Sequence, residues 1–169
     1  MSAVDRDRFR TSLNAALETN DLGRICRAID QVLKVIGLQK MADAAEINRV
    51  TLYRAFRLET ATRLDLLIKI LYLLDLELEV RTRSLTRSPS KEKSARSLSS
   101  AFARRDLSKI LNSFAMVVRK EDNVTELAKM ALLRRETLYQ AFSQPRIPRF
   151  STVLSILNAL GMHFAVHSI

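Results

Sequence analysis

A six-residue motif occurs twice in the chain, each time beside polar side chains that can form paired hydrogen bonds. Thr-Leu-Tyr-Arg-Ala-Phe at positions 51–56 returns at positions 137–142 with only its fourth residue changed. Arginine can bind guanine at two points, and asparagine or glutamine can do the same to adenine, so these types can recognise base edges in the major groove of DNA. The candidates for this chemistry are Asn48, Arg49, Thr51, Arg54, Arg134, Arg135, Thr137 and Gln140.

Three further arginines lie between the motif and the apolar segment that follows it. Arg63 and Arg149 occupy equivalent positions, at a place where a DNA backbone would pass, so we expect them to contact phosphates. Arg146 lies in the same segment of the second copy and is a further DNA-binding candidate. On the alternative hypothesis, the motif belongs to a helical hairpin whose arginines merely face water.

The repetition extends far beyond the motif. Apolar residues match apolar residues at an offset of 86 positions, and upstream the offset is 85 because one residue is inserted near Asn123. A repeated unit of roughly 70 residues is long enough to fold as a small domain. The sequence therefore predicts a tandem duplication, with a first module at 1–81, a basic serine-rich linker at 82–96 and a second module at 97–169. Ser88 and Pro89 offer a helix start inside the linker, which would shorten its flexible part to 82–87.

Apolar spacing predicts an all-α fold class in which each module has five helices and ends in a short strand. Alternation of apolar and polar residues marks the strands at 76–81 and 163–168, with His163, Ala165 and His167 on an outer face. A lone strand is unstable, so we expect the strands to pair within one chain or between two, giving a pseudo-dimer or a homodimer. The helices of the first module are expected at 9–17, 22–36, 38–45, 49–56 and 64–74.

The third and fourth helices of each module fit a helix-turn-helix. This arrangement needs a small residue where the helices cross, an apolar residue in the turn, and a second helix with an apolar inner face. Its polar outer face is the one that enters the major groove. The inward residues are expected to be Ala42, Ile47, Leu52 and Phe56 in the first module and Ala128, Leu133, Leu138 and Phe142 in the second.

The positive charge is unevenly distributed. Residues 1–80 carry 12 basic and 12 acidic side chains, residues 81–96 carry six and one, and residues 97–169 carry ten and five. A net charge of +10 favours a polyanionic partner. Double-stranded DNA is favoured over a membrane because no basic amphipathic helix with a large aromatic face is present. A basic chain without any specific polyanionic partner is the alternative.

Enzymatic and membrane functions have little support in the sequence. The longest apolar stretch, 66–78, is interrupted by three charged residues, and the N-terminal residues lack the apolar core of a signal peptide. The single cysteine, Cys26, is expected to be a core thiol in a reducing cytoplasm. His163 and His167 would lie about 13 Å apart on a strand, too far for one metal ion. We therefore expect no catalytic residue, metal or cofactor.

The motif and its surroundings resemble the addiction-module antidote proteins of the lambda-repressor-like (Xre/Cro) helix-turn-helix superfamily. The resemblance rests on a small-residue helix, a turn, an arginine and Leu-Tyr-x-Ala, followed by Pro148, Phe150, Leu160 and Gly161. It implies small DNA-binding antitoxins or transcriptional regulators, usually dimeric, some of which bind a RelE-like ribonuclease toxin. Members normally have one module, whereas this chain has two.

Several positions depart from the family pattern. The glycine of the turn is replaced by Glu46 and Leu132, which would be strained if the backbone there has a positive φ. Asn48 keeps the helix-capping residue, but Arg134 replaces it in the second module. Thr62 and Asp75 stand where the second module has proline and glycine.

Two functions follow as hypotheses. The first is a transcriptional regulator that binds an operator through tandem helix-turn-helix modules. The second is an antitoxin or antiactivator that binds and inhibits a protein partner, either a RelE-like toxin or a transcriptional activator. A neutral module beside a basic one fits a chain in which one copy binds DNA and the other a protein.

Overall fold

The computed structural model describes residues 3–57, 62–143 and 145–169. They form a mostly helical protein with two short strands, one near the end of each repeated segment. The elements of the first half are α1 (Ala3–Glu18), α2 (Leu22–Ile36), α3 (Leu38–Ala44), α4 (Arg49–Arg57), α5 (Leu64–Leu73) and β1 (Leu76–Thr82). Those of the second half are α6 (Pro89–Ala103), α7 (Leu107–Arg119), α8 (Val124–Met130), α9 (Arg135–Gln140), α10 (Phe150–Ala159) and β2 (Met162–Ser168).

Local signals mark several helix ends. Asp21 caps α2 by accepting a hydrogen bond from the Arg24 amide at 2.9 Å, and Gly37 ends that helix with a φ of 99°. Helix α6 begins at Pro89, inside the segment 82–96, because the Ser88 hydroxyl accepts from the Lys91 amide. A 3₁₀ turn at Ser84–Thr86 precedes it.

The two strands pair with each other in one antiparallel sheet. Leu76 lies opposite Ser168 and Thr82 opposite Met162, so the central pair is Glu79 and Ala165. The central two residues are equivalent in the repeat, separated by the offset of 86 positions. The expected pairing of the strands therefore occurs within the chain.

A second contact between equivalent residues lies before α5 and α10. Arg63 and Arg149 form an isolated antiparallel bridge. The Leu64 amide donates to the Pro148 carbonyl at 3.1 Å, and the Phe150 amide donates to the Thr62 carbonyl at 2.8 Å. Because equivalent residues meet both here and at the centre of the sheet, the two halves are related by a pseudo-twofold axis that passes through both contacts.

Each half places its first helix on the strand of the other half. Helix α1 packs on β2, and α6 packs on β1. The Asn14 side chain donates to the Val166 carbonyl at 3.0 Å and accepts from its amide at 2.7 Å. Its equivalent, Ser99, makes the same two bonds to Val80, at 3.2 and 2.8 Å. The exposed edges of the sheet are thus occupied by side chains of the exchanged helices.

One continuous core joins the two halves, since its buried residues include Leu13 and Leu64 of the first half and Leu98 and Phe150 of the second. Its aromatic cluster lies in the second half. Phe102, Phe150 and Phe164 come from α6, α10 and β2, and their rings pack with centroid distances of 5.5 Å and 5.9 Å around Phe164. Phe114 stacks on Phe142 at 4.8 Å in the same cluster. Such aromatic pairs contribute roughly 0.5–1.5 kcal/mol each beyond their burial. Cys26 is buried in this core, as expected.

Two local expectations from the sequence were wrong. Helix α1 is longer than the predicted 9–17, because its added first turns carry charged residues, such as Asp7, that apolar spacing does not mark. Asp7 pairs with Arg10 at 3.1 Å on the helix surface. The outer face of β2 is less exposed than strict alternation implies, with His163 at 9% and Ala165 at 2% exposure. Both lie on a strand that is flanked by α1 on one side and β1 on the other.

We predict that Gly161→Ala destabilises the protein by about 2 kcal/mol. Gly161 has a φ of 73°, and an added Cβ would lie 2.7 Å from the Cβ of Thr86. Its equivalent Asp75 has a φ of 58° without being glycine, so the backbone conformation alone does not require glycine. Urea unfolding should show a smaller loss for Asp75→Ala, and Thr86→Gly should recover part of the loss in Gly161→Ala. Equal losses at both positions would contradict this explanation.

Candidate functional site

The turn that joins α3 to α4 has the same geometry as the turn that joins α8 to α9. The Ile47 amide donates to the Ala42 carbonyl at 3.0 Å, and the Leu133 amide donates to the Ala128 carbonyl at 2.9 Å. Between them, Glu46 and Leu132 have φ angles of 53° and 56°. Both turns therefore use the left-handed conformation that favours glycine, although neither residue is glycine.

The inner residues of each helix pair lie where the sequence predicts. The small residue of the first helix and the central leucine of the second are buried in both halves. Ile47 and Leu133, in the turns, are half-buried and pack against the core. The buried set is Ala42, Leu52, Phe56, Ala128, Leu138 and Phe142.

The second helix of each pair begins differently. The Asn48 side-chain oxygen accepts a hydrogen bond from the Val50 amide at 2.7 Å, so it caps α4. Arg134 precedes α9 and makes no side-chain cap. While Asn48 caps the helix, its side-chain oxygen is held by the Val50 amide, which restricts how the side chain can be oriented toward a base.

All the predicted DNA-binding residues are exposed, and the structure places them in three groups. One group lies on or beside α4, one lies on or beside α9, and one lies before α5 and α10. The full set is Asn48, Arg49, Thr51, Arg54, Arg63, Arg134, Arg135, Thr137, Gln140, Arg146 and Arg149.

The third group is partly gathered on the pseudo-twofold axis. Arg63 and Arg149 are the two residues of the isolated bridge, so their backbones are adjacent. The hydroxyl of Thr62 donates to the Ala55 carbonyl and so fastens this bridge to α4. The axis therefore passes close to the C-terminal end of α4. In the second half, the Arg146 guanidinium donates to the Gln140 side-chain oxygen at 3.3 Å.

A carboxylate neutralises Arg63 in the first half, but the equivalent position in the second half has none. Arg63 binds Asp65 with two hydrogen bonds of 3.1 and 2.9 Å. The equivalent of Asp65 is Ser151, and Arg149 has no carboxylate within salt-bridge distance among the residues that the structure describes. The positive charge of the exposed Arg149 is therefore not offset by a neighbouring carboxylate of the described residues.

Comparison with known protein families shows which family the chain belongs to. A family model described as probable addiction module antidote protein matches residues 4–82 and again residues 86–168. The chain belongs to this family. It matched no curated protein and no solved structure. The two matches follow the two halves, which supports the tandem duplication, and membership favours an antitoxin-like regulatory role for this antidote-family protein.

An ion-pair cluster that the sequence analysis missed joins α2 to α4. Asp30 accepts a hydrogen bond from Arg57 at 2.9 Å and contacts Lys34 at 2.8 Å. Arg57 also lies over the ring of Tyr53, 4.8 Å from its centroid. Burial raises the pKa of Asp30, but hydrogen bonds from Arg57 and Lys34 outweigh it, so the pKa lies below its ordinary value.

The equivalent place in the second half of this antidote-family protein is open. Ala115 and Ser143 replace the aspartate and the arginine, and a groove of 610 Å³ lies there between α7 and α9. Met116, Arg119 and Tyr139 are among its lining residues. Comparison of the two repeats could have revealed this difference, since Asp30 aligns with Ala115.

The described part of the chain has neither a metal-binding cluster nor a membrane-spanning helix. There, no group of histidine, cysteine, aspartate and glutamate side chains is arranged to hold a metal ion. His167 is exposed and lies 4.0 Å from Glu77 and Glu79. Across residues 3–57, 62–143 and 145–169, no helix is long and apolar enough to cross a membrane.

We predict that Asp30→Asn lowers stability at pH 7 and that the difference from the unsubstituted protein disappears in acid. Because the pKa of Asp30 is lower in the folded state, its stabilising effect is complete above the unfolded pKa and is lost as pH falls through the folded pKa. Urea midpoints measured from pH 7 down to below about 3.9, the ordinary aspartate pKa, should therefore converge. Asp122→Asn, in an exposed loop, is the matched control and should have little effect at any pH. A constant difference for Asp30→Asn across this range would refute the charge-based explanation.

Proposed function

We propose that this protein is an antitoxin-like regulator that binds operator DNA through two lambda-repressor-like helix-turn-helix modules. The observation that carries the proposal is the same helix pair occurring twice about a pseudo-twofold axis, each copy with an exposed polar second helix. Regulators of this type place such a helix in the major groove at each of two half-sites about 34 Å apart. In this protein, one chain supplies both helices.

The proposed base contacts come from the exposed positions of α4 and α9. Arg49 and Arg135 occupy the same place in the first turn of each helix, where side chains reach base edges. Thr51, Arg54, Thr137 and Gln140 follow on the same helices, while Asn48 and Arg134 lie just before them. Arg135 lies 5.8 Å from the ring centroid of Tyr139, a contact that restricts its side chain.

The proposed backbone contacts lie between the half-sites. Arg63 and Arg149 sit beside each other on the axis, so both would contact the central part of the operator. Arg149 has no neutralising carboxylate in the described residues and would contribute more to phosphate binding than Arg63, which is held by Asp65. Arg146 adds positive charge beside α9.

The proposed modules are residues 1–81 and 97–169, connected by residues 82–96. The two modules cannot be tested as isolated fragments, because the strand of each half pairs with the strand of the other half. The first helix of each half also packs on the strand of the other half. A fragment that contains one half would expose the apolar face of its strand. DNA-binding tests therefore need substitutions in the whole chain.

We predict that Arg135→Ala weakens binding to a selected operator by about 1–3 kcal/mol and relaxes base preference at one position. Arg149→Ala should instead weaken all sequences alike and reduce the salt dependence by about one unit, because it removes one phosphate contact. Fluorescence anisotropy at several salt concentrations measures both effects. Arg8→Ala, an exposed change on α1, is the control of equal charge. Unchanged affinity in both variants would exclude this DNA-binding surface.

A second candidate function is inhibition of a protein partner, a toxin or a transcriptional activator. The family description favours it, and so does an apolar groove of 330 Å³ between α1 and α2 in the first half. Its lining includes Phe9, Val32 and Val35, the last of which is 72% exposed. The second half has Ser94 and Lys120 in place of Phe9 and Val35, so this apolar surface is not repeated.

We predict that Val35→Lys abolishes protection against a toxin encoded by a neighbouring gene but leaves operator affinity unchanged. The substitution copies Lys120, the equivalent residue of the second half, and places a charge on the apolar surface. Growth of cells that produce both proteins measures protection, and anisotropy measures operator binding. Full protection by Val35→Lys would exclude this groove as the toxin-binding surface.

A further inference from the structure

The two helices proposed to read DNA differ in sequence although their positions are equivalent. Arg49 matches Arg135, Thr51 matches Thr137 and Tyr53 matches Tyr139, but three exposed positions at and near the start of these helices have changed. The changed residues are Asn48, Val50 and Arg54 in the first half and Arg134, Glu136 and Gln140 in the second. All of them are exposed, so none was fixed by packing in the core.

These differences alter the bases that each helix can prefer. Arg54 is suited to guanine, whereas its equivalent Gln140 is suited to adenine. Val50 offers an apolar contact for the methyl group of thymine, while Glu136 can accept a hydrogen bond from the amino group of cytosine. Two helices with such different side chains are unlike the two identical helices of a homodimer, which read a palindrome.

The structure also shows that one chain completes the twofold arrangement without a second copy. The strand pairing that relates the two halves is used within the chain. The outer edges of the sheet are engaged by Asn14 at Val166 and by Ser99 at Val80. A further strand would have to displace these side chains in order to pair.

We propose that one chain binds one non-palindromic DNA site in a fixed orientation, with each half reading a different half-site. This inference rests on the proposed DNA-binding function and adds the symmetry, stoichiometry and direction of the target. The half-sites would be about one helical turn apart, with the Arg63 and Arg149 pair over the centre.

The experiment begins with selection of bound duplexes from a random library by the full-length protein. The expected result is a consensus of two unlike half-sites at a constant spacing. Native mass spectrometry of the complex should give one chain per duplex. Inverting one half-site relative to the other should reduce affinity about tenfold or more, since the helix over it would then face the wrong bases.

Substitutions that make the two reading helices alike provide the sharper test. The variant Arg134→Asn, Glu136→Val, Gln140→Arg gives the second half the residues of the first at these three positions. It should prefer a palindrome of the first half-site over the native site by about tenfold or more. The reciprocal variant, Asn48→Arg, Val50→Glu, Arg54→Gln, should prefer a palindrome of the other half-site. It also removes the cap at Asn48, so circular dichroism and thermal unfolding of both variants check their folding.

The possible outcomes distinguish failure of this inference from failure of the proposed DNA-binding function. A palindromic consensus, two chains per site, or a folded first variant with unchanged preference would overturn the inference while DNA binding stands. Failure of the full-length protein to select any duplex would overturn both and leave inhibition of a protein partner as the function.

Discussion

The pairing of β1 with β2 is the interaction on which the rest of the structure depends. A two-stranded sheet is only marginally stable alone, and it needs an apolar layer on one face and partners for its edges. The chain meets both needs across the duplication, because each strand carries the first helix of the other half. The two helix pairs are consequently held at fixed positions around one axis rather than on independent domains.

Duplication preserved this geometry while the surfaces diverged. The turns at Glu46 and Leu132 have nearly the same φ, and the bonds of Asn14 to Val166 are matched by those of Ser99 to Val80. The positions equivalent to Asp30 and Asp65 have no carboxylate in the second half, where a groove lies between α7 and α9. An antitoxin-like protein with two unlike halves can present different surfaces to different partners.

Much of the local structure could be predicted from the sequence. Some element boundaries could be predicted from neighbouring residues alone. They are marked by Gly37, by Ser88 with Pro89, and by the change of apolar period at Leu76. Other features depend on contacts between residues far apart in sequence and could not be predicted in this way. They are the bridge at Arg63, the exchange of α1 and α6, and the burial of His163. The exposure of the candidate residues and the cap at Asn48 were likewise predicted from the sequence, whereas the meeting of Arg63 with Arg149 was not.

The distance along the chain between the paired strands has a consequence during synthesis. Residues of β2 follow their partners in β1 by roughly the length of one repeat, and ribosomes add about 5–20 residues per second. For several seconds the first half exists with β1 unpaired, although the α6 helix that packs on this strand is made soon after it. Native packing of β1 must wait for the second half, so an interrupted translation product would expose an apolar strand to chaperones and proteases. The nascent chain is therefore the form of this protein most exposed to degradation.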